Sequence, residues 1–311
     1  MKTLHIDKER SEMNTPGYKS VIFAIRPKTL LTGIGPVILG GATGFRQIQE
    51  TWNTQSTMVI LACLLCTILM QSGANLVNDV KDFESGVDKE NRKGPPRATQ
   101  MGWLQPRQVK YLYTSFFVIA FLVGLFLIQK GGIPILITGL FCLSAAYLYT
   151  GGPKPLSRNA LGELTALIFF GPIAVGGTFY LITTTINIQI LITGMGAGFT
   201  SAALMAINNL RDRTEDQTAG KKTLATLLPE KAAGYLPTVF FTAALAILVF
   251  HGVKVDKTVS AMGFSGFLTI LLVLKVFPNL YGEKKFMNKA LGGAASFSIF
   301  YSILYSFLVL K

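Results

Sequence analysis

The chain has 311 residues, of which 50% are hydrophobic and only 14% are charged, and its mean hydropathy is +0.46. Soluble proteins of this length are rarely so apolar, so the composition excludes an ordinary soluble domain and indicates a polytopic membrane protein. The net charge of +13 does not predict binding to nucleic acid, because the basic residues flank apolar segments instead of forming one patch.

Residues 1–20 are polar and lack the apolar stretch of a signal peptide, so we expect a cytoplasmic N-terminal segment before a single intramembrane domain over 21–311. That domain repeats runs of about 20 apolar residues, the length that crosses about 30 Å of hydrocarbon as a helix. Pro27 and Pro36 predict a kink in the first run. The predicted fold class is therefore all-α. The nine predicted transmembrane helices cover residues 21–45, 57–77, 110–129, 133–150, 161–182, 188–208, 234–252, 259–277 and 289–310.

The positively charged residues alternate between the two sides of these predicted helices. Most of the 29 Lys and Arg residues fall in the N-terminal segment and in the loops after the even-numbered helices. The positive-inside rule then places the N-terminus in the cytoplasm and the C-terminus outside. We expect a multi-pass protein of the inner (cytoplasmic) membrane whose acidic clusters, and therefore whose active site, lie on the cytoplasmic side.

An acidic motif stands at the end of the second predicted helix, between Asn75 and Asp88. Asn75, Asp79 and Asp82 are four and three residues apart, so they share one face of a helix, and Asn78 precedes Asp79 directly. Solvated acidic loops are a simpler explanation of such a cluster, but they do not require Asn and Asp at helical spacing. The pattern predicts that this helix end projects oxygen ligands into the helix bundle.

A second motif ends the sixth predicted helix, where Asn208, Asp212 and Asp216 are four residues apart. The two motifs are separated by four helices, which indicates an internal duplication: two pseudo-repeated four-helix units plus a ninth helix. If the two units pack symmetrically, the motifs face each other across a central cavity.

Crowded carboxylates in an apolar protein repel one another and require cations. Mg²⁺ takes oxygen ligands, typically one or two carboxylates together with phosphate oxygens and water. Two facing motifs therefore predict Mg²⁺ ions that bridge a diphosphate. Basic residues follow each motif: Arg97 comes after a Gly-Pro-Pro turn and Lys221 after Gly220. We expect these turns to aim both side chains at the metal site, although ordinary positive-inside charge would also explain them.

This combination of motifs resembles the UbiA superfamily of intramembrane prenyltransferases from about residue 24 to the C-terminus. Within the superfamily it is most similar to the branch that prenylates 1,4-dihydroxy-2-naphthoate. The matching strings are Arg26-Pro-Lys-Thr-Leu30, Asn78-Asp-x-x-Asp82, Gly94-Pro-x-Arg97, Tyr149-Thr-x-Gly152, Leu161-Gly-Glu163 and Asn208-Asn-Leu-Arg-Asp212.

The resemblance implies about nine helices around a central cavity and a role for each site residue. The implied catalytic metal ligands are Asp79, Asp82, Asp212 and Asp216. The residues implied to bind the prenyl diphosphate are Asn75, Asn78, Asn208, Asp88, Arg97 and Lys221. Tyr149 is implied to lie near the reacting carbon, where its ring can face a carbocation, although an interfacial aromatic belt would also explain a tyrosine there.

The implied reaction transfers a polyprenyl group from polyprenyl diphosphate to 1,4-dihydroxy-2-naphthoate with loss of CO₂ and diphosphate. Its product is demethylmenaquinone, an intermediate of menaquinone biosynthesis. The implied partners are the prenyl diphosphate, the aromatic acceptor and the lipid bilayer, and the implied cofactor is Mg²⁺. Alternative acceptors in the family are hydroxybenzoate, homogentisate, a chlorophyllide or haem. A membrane transporter is the alternative from another class, but transporters more often carry their charges at mid-span.

Overall fold

A computed structural model of the chain describes residues 18–48, 53–86, 97–280 and 284–310. Asp88 of the first acidic motif and residues 94–96, which precede Arg97, lie outside these ranges. The described residues form helices and no β-structure beyond an isolated bridge between Asn159 and Lys222. The predicted all-α fold class is therefore confirmed.

The helices follow one another in short steps along the chain. They are α1 (Tyr18–Ile25), α2 (Pro27–Ile48), α3 (Thr54–Glu84), α4 (Pro106–Leu148), α5 (Gly162–Thr183), α6 (Ile188–Arg211), α7 (Arg213–Thr218), α8 (Leu224–Leu227), α9 (Glu230–Lys254), α10 (Thr258–Leu280) and α11 (Lys284–Leu310). The chain begins α5 immediately after a 3₁₀ turn, Leu156–Arg158, and contains a π-helical turn within α5, Phe169–Ile173.

Seven helices in the described part of the chain are long and apolar enough to cross a membrane. The pair α1 and α2 makes an eighth span if its two helices, bent by 62° between them, are counted as one. The predicted count of nine is therefore not confirmed. The break between α1 and α2 falls at Pro27, one of the two predicted kink positions, whereas α2 continues through Pro36.

Helix α4 covers two of the predicted segments. Its 43 residues would extend about 64 Å if straight, which is twice the thickness of the hydrocarbon core. At Gly132 the backbone adopts φ 67° and ψ −150°, a conformation that only glycine reaches without strain. The rings of Tyr113 and Tyr147, near opposite ends of α4, have centroids only 6.4 Å apart. The helix therefore doubles back at Gly132 as a hairpin of two arms.

Glycines allow α5 and α6 to approach until their backbones touch. A Cβ atom on Gly171 would lie 2.7 Å from the carbonyl oxygen of Gly194, and one on Gly194 would lie 2.8 Å from the Cα of Pro172. Small residues of this kind are typical of helix contacts in membranes. The opposite side of α6 packs into a core with α9, α10 and α11. This packing fixes the C-terminal end of α6, where the second acidic motif begins.

Candidate active site

A cavity of about 1350 Å³ lies within the helix bundle and receives the two acidic motifs. Its lining is polar where α3 and α6 end, and apolar along α4 and α5. All the predicted site residues in the described part of the chain line this cavity. They are Asn75, Asn78, Asp79, Asp82, Arg97, Tyr149, Asn208, Asp212, Asp216 and Lys221. Asp88 was also predicted to bind substrate, and it lies outside the described residues.

In the first motif, Asn78 is the centre of a hydrogen-bonded group. Its Oδ1 atom accepts hydrogen bonds from Arg26 Nη2 (2.8 Å) and from Arg97 Nη1. Its Nδ2 atom donates to Asp82 Oδ2 at 2.8 Å, and Arg97 Nη2 lies 3.2 Å from the same carboxylate oxygen. The amide therefore holds two guanidinium groups beside the carboxylate of Asp82. This brings positive charge to the polar end of the cavity.

Asp79 has a different environment from Asp82, although both belong to the same motif. Its side chain is only 1% exposed. Oδ2 accepts the backbone N–H of Ala98 (3.1 Å), and Oδ1 accepts that of Thr99 (3.3 Å). The carboxylate thus holds the turn that directly follows Arg97. This contact explains how a loop residue reaches the cavity wall with a defined orientation.

Asn75 ties the first motif to the break between α1 and α2. Its Nδ2 atom donates to the carbonyl oxygen of Ile25 at 2.8 Å, and lies 3.3 Å from Thr29 Oγ1. Arg26 stands at that break with φ 55°, in the left-handed region that residues other than glycine rarely adopt. The contact from Asn75 therefore supports the backbone that presents Arg26 to Asn78.

The second motif is organised by Arg211. Its Nε and Nη2 atoms donate to the two oxygens of Asp212, both at 2.7 Å, which is the bidentate geometry typical of Arg–carboxylate pairs. Nη2 also donates to Asn208 Oδ1 (2.9 Å), and Nη1 donates to Asn288 Oδ1 of α11 (2.9 Å). One guanidinium group thus links two residues of the motif to the last helix.

Asp216 is the carboxylate that keeps an open oxygen. Its Oδ1 atom is 3.3 Å from Lys221 Nζ, whereas its buried Oδ2 atom has no hydrogen-bond partner. Burial raises the pKa of the Asp216 carboxyl to about 6; the charges of Asp212 and Asp82 add to this shift, and Lys221 opposes it. The contribution of Asp82 indicates that the two motifs face each other across the cavity.

Tyr149 lies where α4 ends and faces the cavity, whereas Tyr147 does not line it and instead packs near Tyr113. The Tyr149 hydroxyl donates to Met205 Sδ at 3.2 Å, and burial raises its pKa well above the usual value. The phenol is therefore neutral at physiological pH. Its position on the wall fits a ring that contacts an apolar or cationic part of a ligand.

The sequence did not predict three cationic residues at this site. Arg26 belongs to a string that carried the family resemblance, but no role was inferred for it. Arg158 was passed over in a polar loop, yet its Nη2 atom donates to Ser85 Oγ (2.7 Å) and lies 3.8 Å from Asp82 Oδ1. Arg211 was treated as ordinary positive charge between two motif residues. Only the distances in the folded chain distinguish these residues from other surface cations.

The oxygen ligands at the polar end fit Mg²⁺. Within the described ranges, no three His, Cys, Asp or Glu side chains form a ready metal-binding group. However, the candidate ligands are carboxylate and amide oxygens, which hard divalent cations prefer. The unpartnered Oδ2 of Asp216 and the carboxylate of Asp82 both line the polar end. A cation between the motifs would satisfy that oxygen and reduce the repulsion between the carboxylates.

Comparisons with known proteins agree with this geometry. Residues 48–304 match the model of the UbiA prenyltransferase family. A 1,4-dihydroxy-2-naphthoate octaprenyltransferase of Haemophilus influenzae is 35% identical over 253 residues, which cover 79% of each chain. An enzyme of the same description from Bacillus subtilis is 28% identical over 283 residues, covering 90% of this chain and 89% of its own.

A solved structure has a similar fold. It is a UbiA homolog from Archaeoglobus fulgidus bound to DMAPP and Mg²⁺, with a TM-score of 0.60. The match covers 94% of this chain and 99% of that one. Because only 15% of the aligned residues are identical, the match supports the fold alone.

Proposed function

This chain belongs to the UbiA prenyltransferase family, and we propose that it transfers a polyprenyl group to 1,4-dihydroxy-2-naphthoate with loss of CO₂ and diphosphate. The product is demethylmenaquinone. The observation that carries the proposal is a single cavity in which two carboxylate-and-amide motifs meet beside several cations and continue into an apolar chamber. Such a cavity suits a ligand with a diphosphate head and a hydrocarbon tail. The descriptions of the two bacterial relatives support the choice of acceptor.

The diphosphate binds at the polar end in this proposal. Asp82, Asp212 and Asp216 would hold Mg²⁺, with Asn78 and Asn208 beside them. When bound, Mg²⁺ supplies positive charge that stabilises the departing diphosphate. We assign a different role to Asp79, since both of its oxygens already accept backbone N–H groups: it positions Arg97.

Several protein cations act on the same leaving group. Arg97, Arg26 and Lys221 line the cavity beside the two motifs. Preorganised positive charge of this kind stabilises the diphosphate as its negative charge develops. The guanidinium groups are held before substrate binds, by Asn78 and by the turn that Asp79 stabilises. Little reorganisation is therefore needed when the bond breaks.

The reaction begins with cleavage of the bond between C1 and oxygen of the prenyl diphosphate, and the electron pair leaves with the diphosphate. Tyr149 presents its ring to the resulting allylic cation, and the apolar lining excludes the water that would capture it. A ring carbon of the acceptor forms the new bond to C1. The electrons of the bond to the carboxylate then return to the ring as CO₂ departs.

The position of the site in the membrane is also part of the proposal. We place the polar end of the cavity at the cytoplasmic face of the inner membrane, because most Lys and Arg residues lie in the loops on that side. The N-terminus is then inside and the C-terminus outside. Both substrates would enter from the side on which soluble dihydroxynaphthoate is available.

The proposal is tested with purified full-length protein in lipid nanodiscs, a labelled polyprenyl diphosphate and Mg²⁺. Mass spectrometry should detect the decarboxylated prenyl-naphthoate with 1,4-dihydroxy-2-naphthoate, and no comparable product with hydroxybenzoate or homogentisate. Chelation with EDTA should stop turnover, and added Mg²⁺ should restore it. A product with another acceptor only would overturn the acceptor assignment, and full activity in EDTA would overturn the metal assignment.

A further inference from the structure

Glu163 is a buried carboxylate that the reaction described so far does not use. It is the second residue of α5, and only 2% of it is exposed. Its Oε1 atom accepts a hydrogen bond from Asn209 Nδ2 at 3.0 Å, while Oε2 has no hydrogen-bond partner. No ion pair among the described residues includes Glu163. A buried carboxylate in this state is costly and requires an explanation.

Two cavity-lining side chains gather around the start of the helix that carries Glu163. A Cβ atom on the neighbouring Gly162 would lie 3.3 Å from the Tyr149 hydroxyl and 3.5 Å from Asn209 Nδ2. Both Tyr149 and Asn209 line the cavity, whereas Glu163 does not. The carboxylate therefore stands one layer behind the wall, on the side where Tyr149 faces the substrate.

We infer that Glu163 supplies a fixed negative charge behind Tyr149 and Asn209 that stabilises the cationic prenyl group during transfer. The inference rests on the proposed function, because it assigns the carboxylate to the same reaction. Glu163 touches neither substrate, so it is a positioning residue that acts by its charge and by its hold on Asn209. The first turn of α5 favours a negative charge at this position, because the helix dipole is positive there.

The charges around the cavity then match the charges that develop on the substrate. Cleavage sends an electron pair to the diphosphate, next to Arg97 and Lys221. The allylic carbon is left with positive charge on the side of Tyr149, and Glu163 is the nearest buried carboxylate behind that tyrosine that lacks a cationic partner. Charge separation across the cavity is therefore favoured at both ends. The effect exists only while the prenyl group is cationic, so it lowers the barrier without tightening substrate binding.

A purely structural role makes a different prediction, and glutamine separates the two. In Glu163→Gln the side-chain oxygen can still accept the hydrogen bond from Asn209, so the local fold is preserved while the charge is lost. A residue needed only to hold Asn209 in place would then be replaced without loss. A residue needed for its charge would not be replaced.

The experiment compares Glu163→Gln with the parent protein in nanodiscs, under steady-state and single-turnover conditions. We expect kcat and the single-turnover rate to fall by about 10- to 100-fold, the effect of losing one charge near a developing cation in a partly polar site. The KM values for both substrates and the melting temperature should change little. Glu163→Asp should recover part of the rate, because it restores charge without restoring the distance to Asn209.

The matched control is Glu230→Gln, which changes another first-turn glutamate, at the start of α9, that is exposed and lies away from the cavity. It should retain the parental rate. Parental kcat in Glu163→Gln would overturn the inference, and so would a loss of rate that comes with a lower melting temperature and a raised KM. If the parent protein itself made no product from any prenyl donor, the proposed function would be the part that failed.

Discussion

The two acidic motifs have nearly the same residues at nearly the same spacing, but the folded chain uses them differently. In the first motif, an amide and two carboxylates are bonded to a loop that folds back from the next segment, so their hydrogen bonds fix Arg97 and Arg26. In the second, Arg211 holds Asp212, and the buried Oδ2 of Asp216 remains open. The first motif chiefly positions cations, and the second offers a ligand oxygen.

The difference arises from what each helix end meets. Helix α3 ends beside the chain that continues to Arg97, so backbone N–H groups and guanidinium groups reach its carboxylates. Helix α6 ends against α11, which contributes only the amide of Asn288 to that motif. Similar spacing therefore places similar residues on one face, while the neighbouring segments decide whether those residues build a frame or bind a ligand.

The largest effect should come from the two carboxylates that face each other. Asp216→Asn or Asp82→Asn should lower kcat by about 1,000-fold or more, because each removes a charged ligand and electrostatic catalysis supplies much of the rate. The Mg²⁺ concentration needed for half-maximal activity should rise in both. The measurement is a Mg²⁺ titration of the initial rate.

The control for this pair is Asp256→Asn, an exposed aspartate whose left-handed backbone, φ 56°, asparagine also tolerates. It should leave the rate and the Mg²⁺ requirement at parental values. An unchanged Mg²⁺ titration in Asp216→Asn would remove that residue from the metal site and would reverse the comparison between the motifs.

A smaller effect of another kind is expected for Asp79→Asn. Asparagine has a single side-chain oxygen, so one of the N–H groups of Ala98 and Thr99 loses its acceptor, at a cost of about 1–3 kcal/mol. The turn that carries Arg97 should loosen. We expect kcat to fall by about 10- to 100-fold, with a raised KM for the prenyl diphosphate and a lower melting temperature.

The Mg²⁺ titration distinguishes this role from that of a metal ligand. Asp79→Asn should keep the parental Mg²⁺ requirement, unlike Asp216→Asn. A shift as large as that of Asp216→Asn would show that Asp79 binds the metal directly, as the family resemblance alone implied.

Local sequence patterns predicted the helices and the faces on which the site residues lie, because hydropathy and helical spacing are properties of short segments. They did not predict the hairpin in α4, since Gly132 interrupts the helix without a polar loop. They also did not predict the contacts that distinguish Asp79 from Asp216. Those contacts join residues far apart in the chain, and depend on how the helices pack. Glu163 was noted only as part of a matching string, because its burial appears only after folding.

The smallest effect separates the two asparagines that open the motifs. Asn75→Ala should lower the free energy of unfolding by about 1 kcal/mol, because the hydrogen bonds to Ile25 and Thr29 are lost, and should leave kcat within about threefold of the parent. Asn208→Ala should instead lower kcat by about 10-fold with little change in stability, since Arg211 keeps its bidentate pair with Asp212.

A double-mutant cycle makes this last comparison sharper. Asn75 Nδ2 lies 3.3 Å from Thr29 Oγ1, so Asn75→Ala and Thr29→Ala should be coupled by about 0.5–1 kcal/mol in unfolding experiments. Asn208→Ala and Thr29→Ala should be additive, because the two residues share no hydrogen-bond partner. If Asn75→Ala instead lowered kcat as much as Asn208→Ala at unchanged stability, the two motifs would be functionally equivalent, as their spacing alone predicts.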